Sequence, residues 1–131
     1  MKKAERYAIA FEQLKGLFPD AQTELNYNTP FQLLVAVILS AQCTDKRVNL
    51  VTPELFKRFP TAKQMSESSE EEILRYIKSI SYPNAKSKNL LKMAQRLESV
   101  YNGILPETRE ELTTLAGVGR KTANVICAVL Y

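Results

Sequence analysis

Apolar residues recur at intervals of three and four along most of the chain. Over residues 2–18 they share one helical face, which holds Ala4, Tyr7, Ala8, Phe11, Leu14 and Phe18. Over residues 84–101 a second face holds Ser87, Leu90, Leu91, Ala94, Leu97 and Tyr101. This spacing is that of an amphipathic α-helix, and the one alternating stretch, residues 35–38, lies within a helical segment. The pattern therefore predicts an all-α chain.

Capping residues predict where helices begin. Three capping boxes pair a hydroxyl side chain with a Glu or Gln three positions later: Thr29 with Gln32, Ser69 with Glu72, and Thr108 with Glu111. The first has Pro30 at the first helical position and precedes residues 31–40, which are apolar nearly all round. We expect this helix at the buried centre of the domain. The second box opens a helix through Ile77, and the third opens a short helix to about Leu115.

A proline lies inside another helical segment. Asp45 or Thr44 caps a helix that runs toward Phe59, and Pro53 falls within it. Because proline lacks an N–H and its ring clashes with the preceding turn, we expect a kink or a restart here, with Thr52 as a new cap.

The remaining boundaries complete a helical bundle. Residues 78–84 are predicted to form a loop, and Asn102 with Gly103 ends the following helix in a left-handed conformation. A last helix begins near Arg120. The chain is thus predicted to form a compact all-α bundle of about seven helices with short connections.

The composition narrows the class of protein. The chain has 131 residues, of which 45% are apolar, and this suits one globular domain with a core. No run approaches the roughly 18 apolar residues of a membrane span. Charged residues interrupt the N-terminal segment, so we expect no signal peptide and a cytoplasmic, intracellular chain.

Histidine is absent, and Cys43 and Cys127 are the two cysteines. The absence of histidine excludes His-based catalysis and His metal ligands, and two thiols are too few for a cysteine-rich zinc or iron–sulfur site. We therefore expect reduced thiols and no metal or other cofactor in this chain. The net charge of +4 is compatible with a nucleic-acid partner.

Residues 115–123 carry the most distinctive pattern, with two glycines between two short helices. Gly117 can take positive φ to end the first helix, and Gly119 allows another backbone to approach closely. The amides of residues 117–121, Val118 among them, then lie at a helix N-terminus, which is an anion site to which Arg120 and Lys121 add charge. Such a hairpin grips a nucleic-acid phosphate without reading sequence, although Gly-x-Gly alone is more often a plain turn.

Two segments resemble signatures of the endonuclease III family of DNA glycosylases, which carry a helix-hairpin-helix motif. These are Leu115–Asn124, with sequence LAGVGRKTAN, and Leu39–Asn49, with sequence LSAQCTDKRVN. Shorter matches, at Pro30-Phe31, Tyr76–Lys78 and Asn84–Asn89, follow in the expected order. The resemblance covers essentially all of the chain. It implies base-excision repair of oxidised pyrimidines in duplex DNA by a bifunctional DNA glycosylase and AP lyase, whose partner is a duplex with a damaged or abasic nucleotide.

Lys121 stands where the family has its catalytic lysine. The resemblance implies that its amine attacks C1′ of a flipped nucleotide, displaces the base, forms a Schiff base and then cuts the strand on the 3′ side by elimination. A helix N-terminus, Arg120 and partial burial would each favour the neutral amine that a nucleophile needs. The alternative for any lysine is a solvated surface cation. A lysine here also argues against the sibling adenine glycosylases, which resemble this chain but usually lack it.

Three further residues are candidates for the DNA-binding site, and the resemblance places two of them, Gln42 and Tyr82, at family positions. Gln42 corresponds to a residue that enters the duplex where the flipped base leaves, or else it bonds locally at a helix end. Asp45 lines the pocket or caps its helix. Tyr82 replaces the usual Leu of an intercalating loop, where it would wedge or stack between bases or make only ordinary packing contacts. A basic run, which tracks the DNA backbone or forms a solvated helix face, contains Lys86, Lys88, Lys92 and Arg96.

The resemblance also implies parts that the sequence does not contain. The family has a catalytic aspartate downstream of the lysine and usually a four-cysteine iron–sulfur cluster, and neither is found after Lys121. We therefore expect a C-terminally incomplete helical domain at residues 23–131, with its hairpin motif at about 109–131. Residues 1–22 would form an N-terminal helix that belongs with the absent cluster domain. The apolar ends left exposed would then form a homodimer or an altered packing.

Two other classes of function remain open at this point. A non-catalytic helix-hairpin-helix module would bind duplex DNA in a salt-dependent manner and cut nothing. A helical interaction domain would have no DNA role, and the Gly-Val-Gly-Arg-Lys hairpin argues against it.

Overall fold

The computed structural model describes residues 25–131, and the helix predicted over residues 2–18 lies outside this range. Within the described range seven α-helices follow one another with no strand between them: α1 (Pro30–Ser40), α2 (Asp45–Arg58), α3 (Ala62–Ser66), α4 (Glu70–Ile77), α5 (Pro83–Tyr101), α6 (Arg109–Leu112) and α7 (Arg120–Leu130). The predicted all-α bundle is confirmed.

Helix α1 is the centre of the bundle, as its composition predicts. Every residue from Leu33 to Leu39 is buried, because nearly all faces of the helix are apolar. Helices α2, α5 and α7 pack against it, while α3 and α4 pack against α5. The end of α1 therefore lies among the segments that carry the candidate site.

The predicted caps form, with one change of partner. Thr29 Oγ1 accepts a hydrogen bond from the Gln32 N–H at 3.1 Å. Gln32 Oε1 accepts in turn from the Asn28 N–H at 2.7 Å, one residue before the partner that a capping box predicts. At the starts of α4 and α6, Ser69 Oγ and Thr108 Oγ1 each accept from the N–H of the Glu three residues later, at 3.2 Å.

Helix α6 is shorter than predicted, since it ends at Leu112 rather than near Leu115. Thr113 Oγ1 donates to the Glu110 carbonyl at 2.8 Å and Thr114 Oγ1 donates to the Glu111 carbonyl at 2.6 Å. These side chains bond the carbonyls of the last turn and so compete with continued helix.

Helix α2 runs unbroken from Asp45 to Arg58, so the predicted restart at Thr52 is wrong. Thr52 is buried inside the helix together with Val48 and Leu55, whereas Pro53 is exposed. Packing of this buried face outweighs the backbone bond that proline removes, and the ring lies on the solvent side.

The start of α2 decides between Thr44 and Asp45 as its capping residue. Thr44 Oγ1 accepts from the Arg47 N–H at 3.1 Å, which makes Thr44 the cap and Asp45 the first helical residue.

Sequence reasoning missed α3, although its signal was present. Thr61 with Gln64 is a capping box of the same kind as those at Thr29, Ser69 and Thr108, and the Thr61 N–H donates to Gln64 Oε1 at 3.3 Å. Ala62 and Met65 anchor this short helix in the core.

The apolar face of α7 is buried, with Ala123, Ile126, Val129 and Leu130 all inside. This face packs on α1 rather than being left exposed, and the homodimer or altered packing expected of the two ends stays a prediction. Both cysteines are free thiols, as expected. Among the helices of residues 25–131, none has the length and apolar character needed to cross a membrane.

Candidate nucleic-acid interface

The glycine hairpin joins α6 to α7 and is anchored from within. The Val118 side chain is buried, and its N–H donates to the Leu115 carbonyl at 3.1 Å. Arg109 Nη1 donates to Asn124 Oδ1 at 3.1 Å, which ties the two helices together. Val118 thus fixes the hairpin, and the amides left at its outer edge are those that begin α7.

Gly117 has the positive φ that the sequence predicts, at +82°. A Cβ atom on this residue would lie 3.1 Å from Asn89 Cβ and 3.3 Å from Ile38 Cγ2. The hairpin backbone therefore packs directly on α1, through Ile38, and on α5, through Asn89.

Gly119 is the N-cap of α7, and its surroundings are open. A Cβ atom built on it would meet no atom of residues 25–131 within 4 Å. No side chain in the part of the chain that the structure describes caps α7, whereas side-chain oxygens cap α1, α2, α4 and α6. The N-terminus of α7 is thus a helix end whose first amides are accessible to an external anion.

Lys121 is the second residue of α7, and both it and Arg120 are exposed. The partial burial that the sequence predicts for Lys121 is therefore not found in the described structure.

Gln42 lies in the turn between α1 and α2, where it is exposed and left-handed at φ +56°. It follows the last residues of α1, and Cys43 closes the turn by donating its N–H to the Ser40 carbonyl at 3.0 Å. Asp45 is half-buried three residues further on, in the first turn of α2.

Tyr82 is the N-cap of α5, with φ +53°, and its side chain is 65% exposed. A left-handed backbone is uncommon for an aromatic residue, and it places the ring outside the core.

The basic run on α5 does not form one solvated face. Lys88 and Lys92 are exposed, and Arg96 Nε donates to Thr114 Oγ1 at 3.2 Å. Lys86, by contrast, is only 6% exposed. Its Nζ donates to the carbonyl of Leu39 at 2.9 Å and also to that of Ala41.

The environment of Lys86 alters its titration. Burial lowers the pKa of the Lys86 amine below its ordinary value, and the nearby Cys43 sulfur opposes that shift. The sequence does not reveal that Lys86 is buried, because its partners are backbone carbonyls 45 and 47 residues away.

These contacts bring the candidate residues to one place. Ile38, Leu39, Lys86 and Asn89 form what we call the α1–α5 junction, where the end of α1 meets the start of α5. The Gln42 turn leaves this junction from α1, the Tyr82 turn enters it on α5, and the hairpin rests on it through Gly117. Three separate segments of sequence are thus fixed on one framework.

No group of three or more His, Cys, Asp or Glu side chains that could hold a metal ion occurs within residues 25–131. With two cysteines in the sequence, the residues present do not fit a four-cysteine iron–sulfur cluster.

A helical bundle that presents a glycine hairpin between two helices defines the chain as a helix-hairpin-helix protein. The model of the HhH-GPD superfamily of base excision DNA repair proteins matches residues 35–128, and the chain belongs to this family.

Curated relatives agree with this assignment. The chain is 49% identical to endonuclease III of Synechocystis sp. over 115 residues, which are 88% of this chain and 52% of the relative. It is 46% identical to endonuclease III of Haemophilus influenzae over 126 residues, 96% of this chain and 59% of the relative. The chain thus spans between half and three fifths of the length of these relatives.

The fold agrees as well. A trapped covalent intermediate of endonuclease III with DNA, described as an estranged-adenine complex, superimposes with a TM-score of 0.82 at 42% identity. The match covers 99% of this chain and 61% of the solved one.

Proposed function

We propose that this chain is the helical, DNA-engaging part of a DNA glycosylase that also acts as an AP lyase on oxidised pyrimidines in duplex DNA. The observation that carries the proposal is Lys121, an exposed amine on the first turn of α7, next to a helix end without a side-chain cap. The relatives named endonuclease III, and the covalent DNA complex of one such enzyme, support it.

The Lys121 amine acts as the nucleophile in this proposal. Its lone pair forms a bond to C1′ of the flipped nucleotide, and the glycosidic C–N bond breaks with its electron pair leaving on the base, which takes up a proton. Opening of the sugar ring gives the Schiff base. Loss of a C2′ proton then expels the 3′ oxygen with its phosphate and cuts the strand.

The neighbouring groups supply positioning rather than chemistry. The open N-terminus of α7 and the exposed Arg120 hold a phosphate beside the reacting sugar. Gln42 fills the gap that the extruded base leaves, Tyr82 stacks on an adjoining base, and Asp45 lines the pocket behind Gln42.

Base removal and strand cleavage place different demands on the protein. The lyase step on an existing abasic site needs mainly an amine, whereas base removal in the family also uses an acid downstream of the lysine. None of residues 122–131 is acidic. We therefore expect this chain to react with abasic DNA and to release damaged bases only weakly.

Reduction of the Schiff base tests the proposal. A labelled duplex with one abasic site is incubated with the chain and sodium borohydride, and the covalent adduct is quantified on a denaturing gel. We expect an adduct with the unaltered chain, none above background with Lys121→Ala, and an undiminished adduct with Lys63→Ala, which removes an exposed lysine from α3. An adduct that persists in Lys121→Ala would contradict the assignment.

A second candidate function is a non-catalytic helix-hairpin-helix module, and the exposure of Lys121 favours it. A module of this kind binds duplex DNA with an affinity that falls as salt rises. It would give no borohydride adduct, and Lys121→Ala would weaken binding no more than the loss of one phosphate contact.

A further inference from the structure

Two of the candidate DNA-contacting residues share an unusual backbone. Gln42 has φ +56° and Tyr82 has φ +53°, and both side chains are exposed. A left-handed backbone costs free energy in any residue that carries a side chain, so surrounding contacts have to hold the backbone in place. The two turns are 40 residues apart in sequence, yet both belong to the α1–α5 junction.

Lys86 is the residue that both turns have in common. Its side chain crosses from α5 to α1, where Nζ donates to the Leu39 and Ala41 carbonyls on either side of Ser40. Its backbone N–H donates to the Tyr82 carbonyl at 3.1 Å and closes the first turn of α5. One residue thus fixes the end of α1 just before Gln42 and the start of α5 just after Tyr82.

The end of α1 needs this cation because the helix lacks one of its own. Its last turn contains no basic residue, and its carbonyls gather partial negative charge at that end. Ser40 Oγ donates to the Val37 carbonyl at 2.7 Å, and the Cys43 N–H donates to the Ser40 carbonyl. Lys86 supplies the donors for Leu39 and Ala41, which compensates the cost of burying an ammonium group.

We propose that Lys86 is a positioning residue, which holds the Gln42 turn in a fixed place relative to Tyr82 so that both engage DNA around an extruded nucleotide. This inference rests on the proposed function. It assigns Lys86 no contact with DNA, because its side chain is buried and already bonded to the protein.

Lys86→Met tests the inference, because methionine keeps most of the unbranched side chain and removes the donors. Lys88→Met is the matched control, since it removes one positive charge from an exposed position two residues further along α5. The bond from the residue 86 N–H to the Tyr82 carbonyl survives in both variants.

Hydrogen exchange reports on the turn without DNA. We expect the Cys43 amide to exchange about tenfold faster in Lys86→Met, which corresponds to about 1.4 kcal/mol. In Lys88→Met its exchange rate should stay the same. The Leu33 amide, bonded to the Thr29 carbonyl at the far end of α1, is the internal standard that shows the helix is still folded. An unchanged Cys43 amide in Lys86→Met would overturn the inference.

DNA binding reports on the consequence. The affinity for a duplex with a tetrahydrofuran abasic analogue is compared with that for the same duplex undamaged. We expect this preference to fall about tenfold in Lys86→Met and less than about twofold in Lys88→Met. In a Gln42→Ala background Lys86→Met should cause little further loss, since the residue it positions is gone. Faster exchange with an unchanged preference would overturn the positioning role.

Lys86→Arg keeps the test decisive if the methionine variant does not fold. Its guanidinium retains a positive charge and several donors, so we expect a preference within about twofold of the unaltered chain. A loss as large as in Lys86→Met would count against the inference. A failure of the proposed function looks different, because the unaltered chain would then show no preference for the abasic duplex while the exchange comparison keeps its meaning.

Discussion

The two glycines of the hairpin lie two residues apart and have opposite surroundings, because Gly117 is crowded and Gly119 is open. Gly117 has φ +82°, and a Cβ atom there would press on Asn89 and Ile38. Gly119 has an extended backbone and open space around it. The fold itself therefore requires glycine at position 117. At position 119 the described residues leave room for a side chain, so a requirement for glycine there would not come from residues 25–131.

Gly117→Ala should show the largest effect on stability. Left-handed backbone costs an L-residue about 1–2 kcal/mol, and the new methyl group also crowds α1 and α5, so we expect the free energy of unfolding to fall by about 2–3 kcal/mol. Urea unfolding followed by circular dichroism measures the change. Gly119→Ala is the control, and a loss there as large as in Gly117→Ala would remove the distinction between the two positions.

Gly119→Asp should move stability and DNA affinity in opposite directions. An aspartate N-cap accepts from the first amides of α7 and stabilises it by a few tenths of a kcal/mol, roughly the advantage of Asp over Gly at this position. The same carboxylate occupies the proposed phosphate site and repels phosphate, so duplex affinity should fall about tenfold, or about 1.4 kcal/mol.

Fluorescence anisotropy at fixed salt measures that affinity. Gly119→Ser adds a cap without a charge and should give a similar gain in stability with a smaller loss of binding. If both variants bind duplex as the unaltered chain does, the N-terminus of α7 does not contact DNA.

Tyr82→Asn should give the smallest effect, a gain in stability of about 0.5 kcal/mol. Asparagine adopts the left-handed conformation more readily than an aromatic residue, and the 65% exposed ring contributes little packing that could be lost. Gln42→Asn is the matched change at the other left-handed turn and should shift the unfolding midpoint in the same direction. A clear destabilisation by Tyr82→Asn would mean that its ring packs more firmly than its exposure indicates.

The sequence predicts those features whose cause is local. Thr29, Ser69 and Thr108 cap their helices as predicted, because a cap depends on residues within one turn. The left-handed end of α5 at Asn102 and Gly103 has the same local origin. The positive φ of Gly117 was predictable for that reason too.

Features that depend on packing were harder to predict. The rule for Pro53 is correct about the lost hydrogen bond, but the buried face of Val48, Thr52 and Leu55 holds α2 together across it. Nothing in the run of lysines on α5 distinguishes Lys86 from Lys88, since the partners of Lys86 are main-chain carbonyls that every residue has. The left-handed Tyr82 follows from the fold of the junction rather than from any preference of tyrosine.

The reach of Lys86 back to Leu39 and Ala41 orders events during synthesis of the chain. The helix that ends at Ser40 emerges from the ribosome well before Lys86, which donates hydrogen bonds to the carbonyls at its end. A nascent chain that stops short of residue 86 therefore carries the Gln42 turn without its donor. Protease sensitivity at this turn should accordingly persist in such chains and disappear only when the start of α5 has docked.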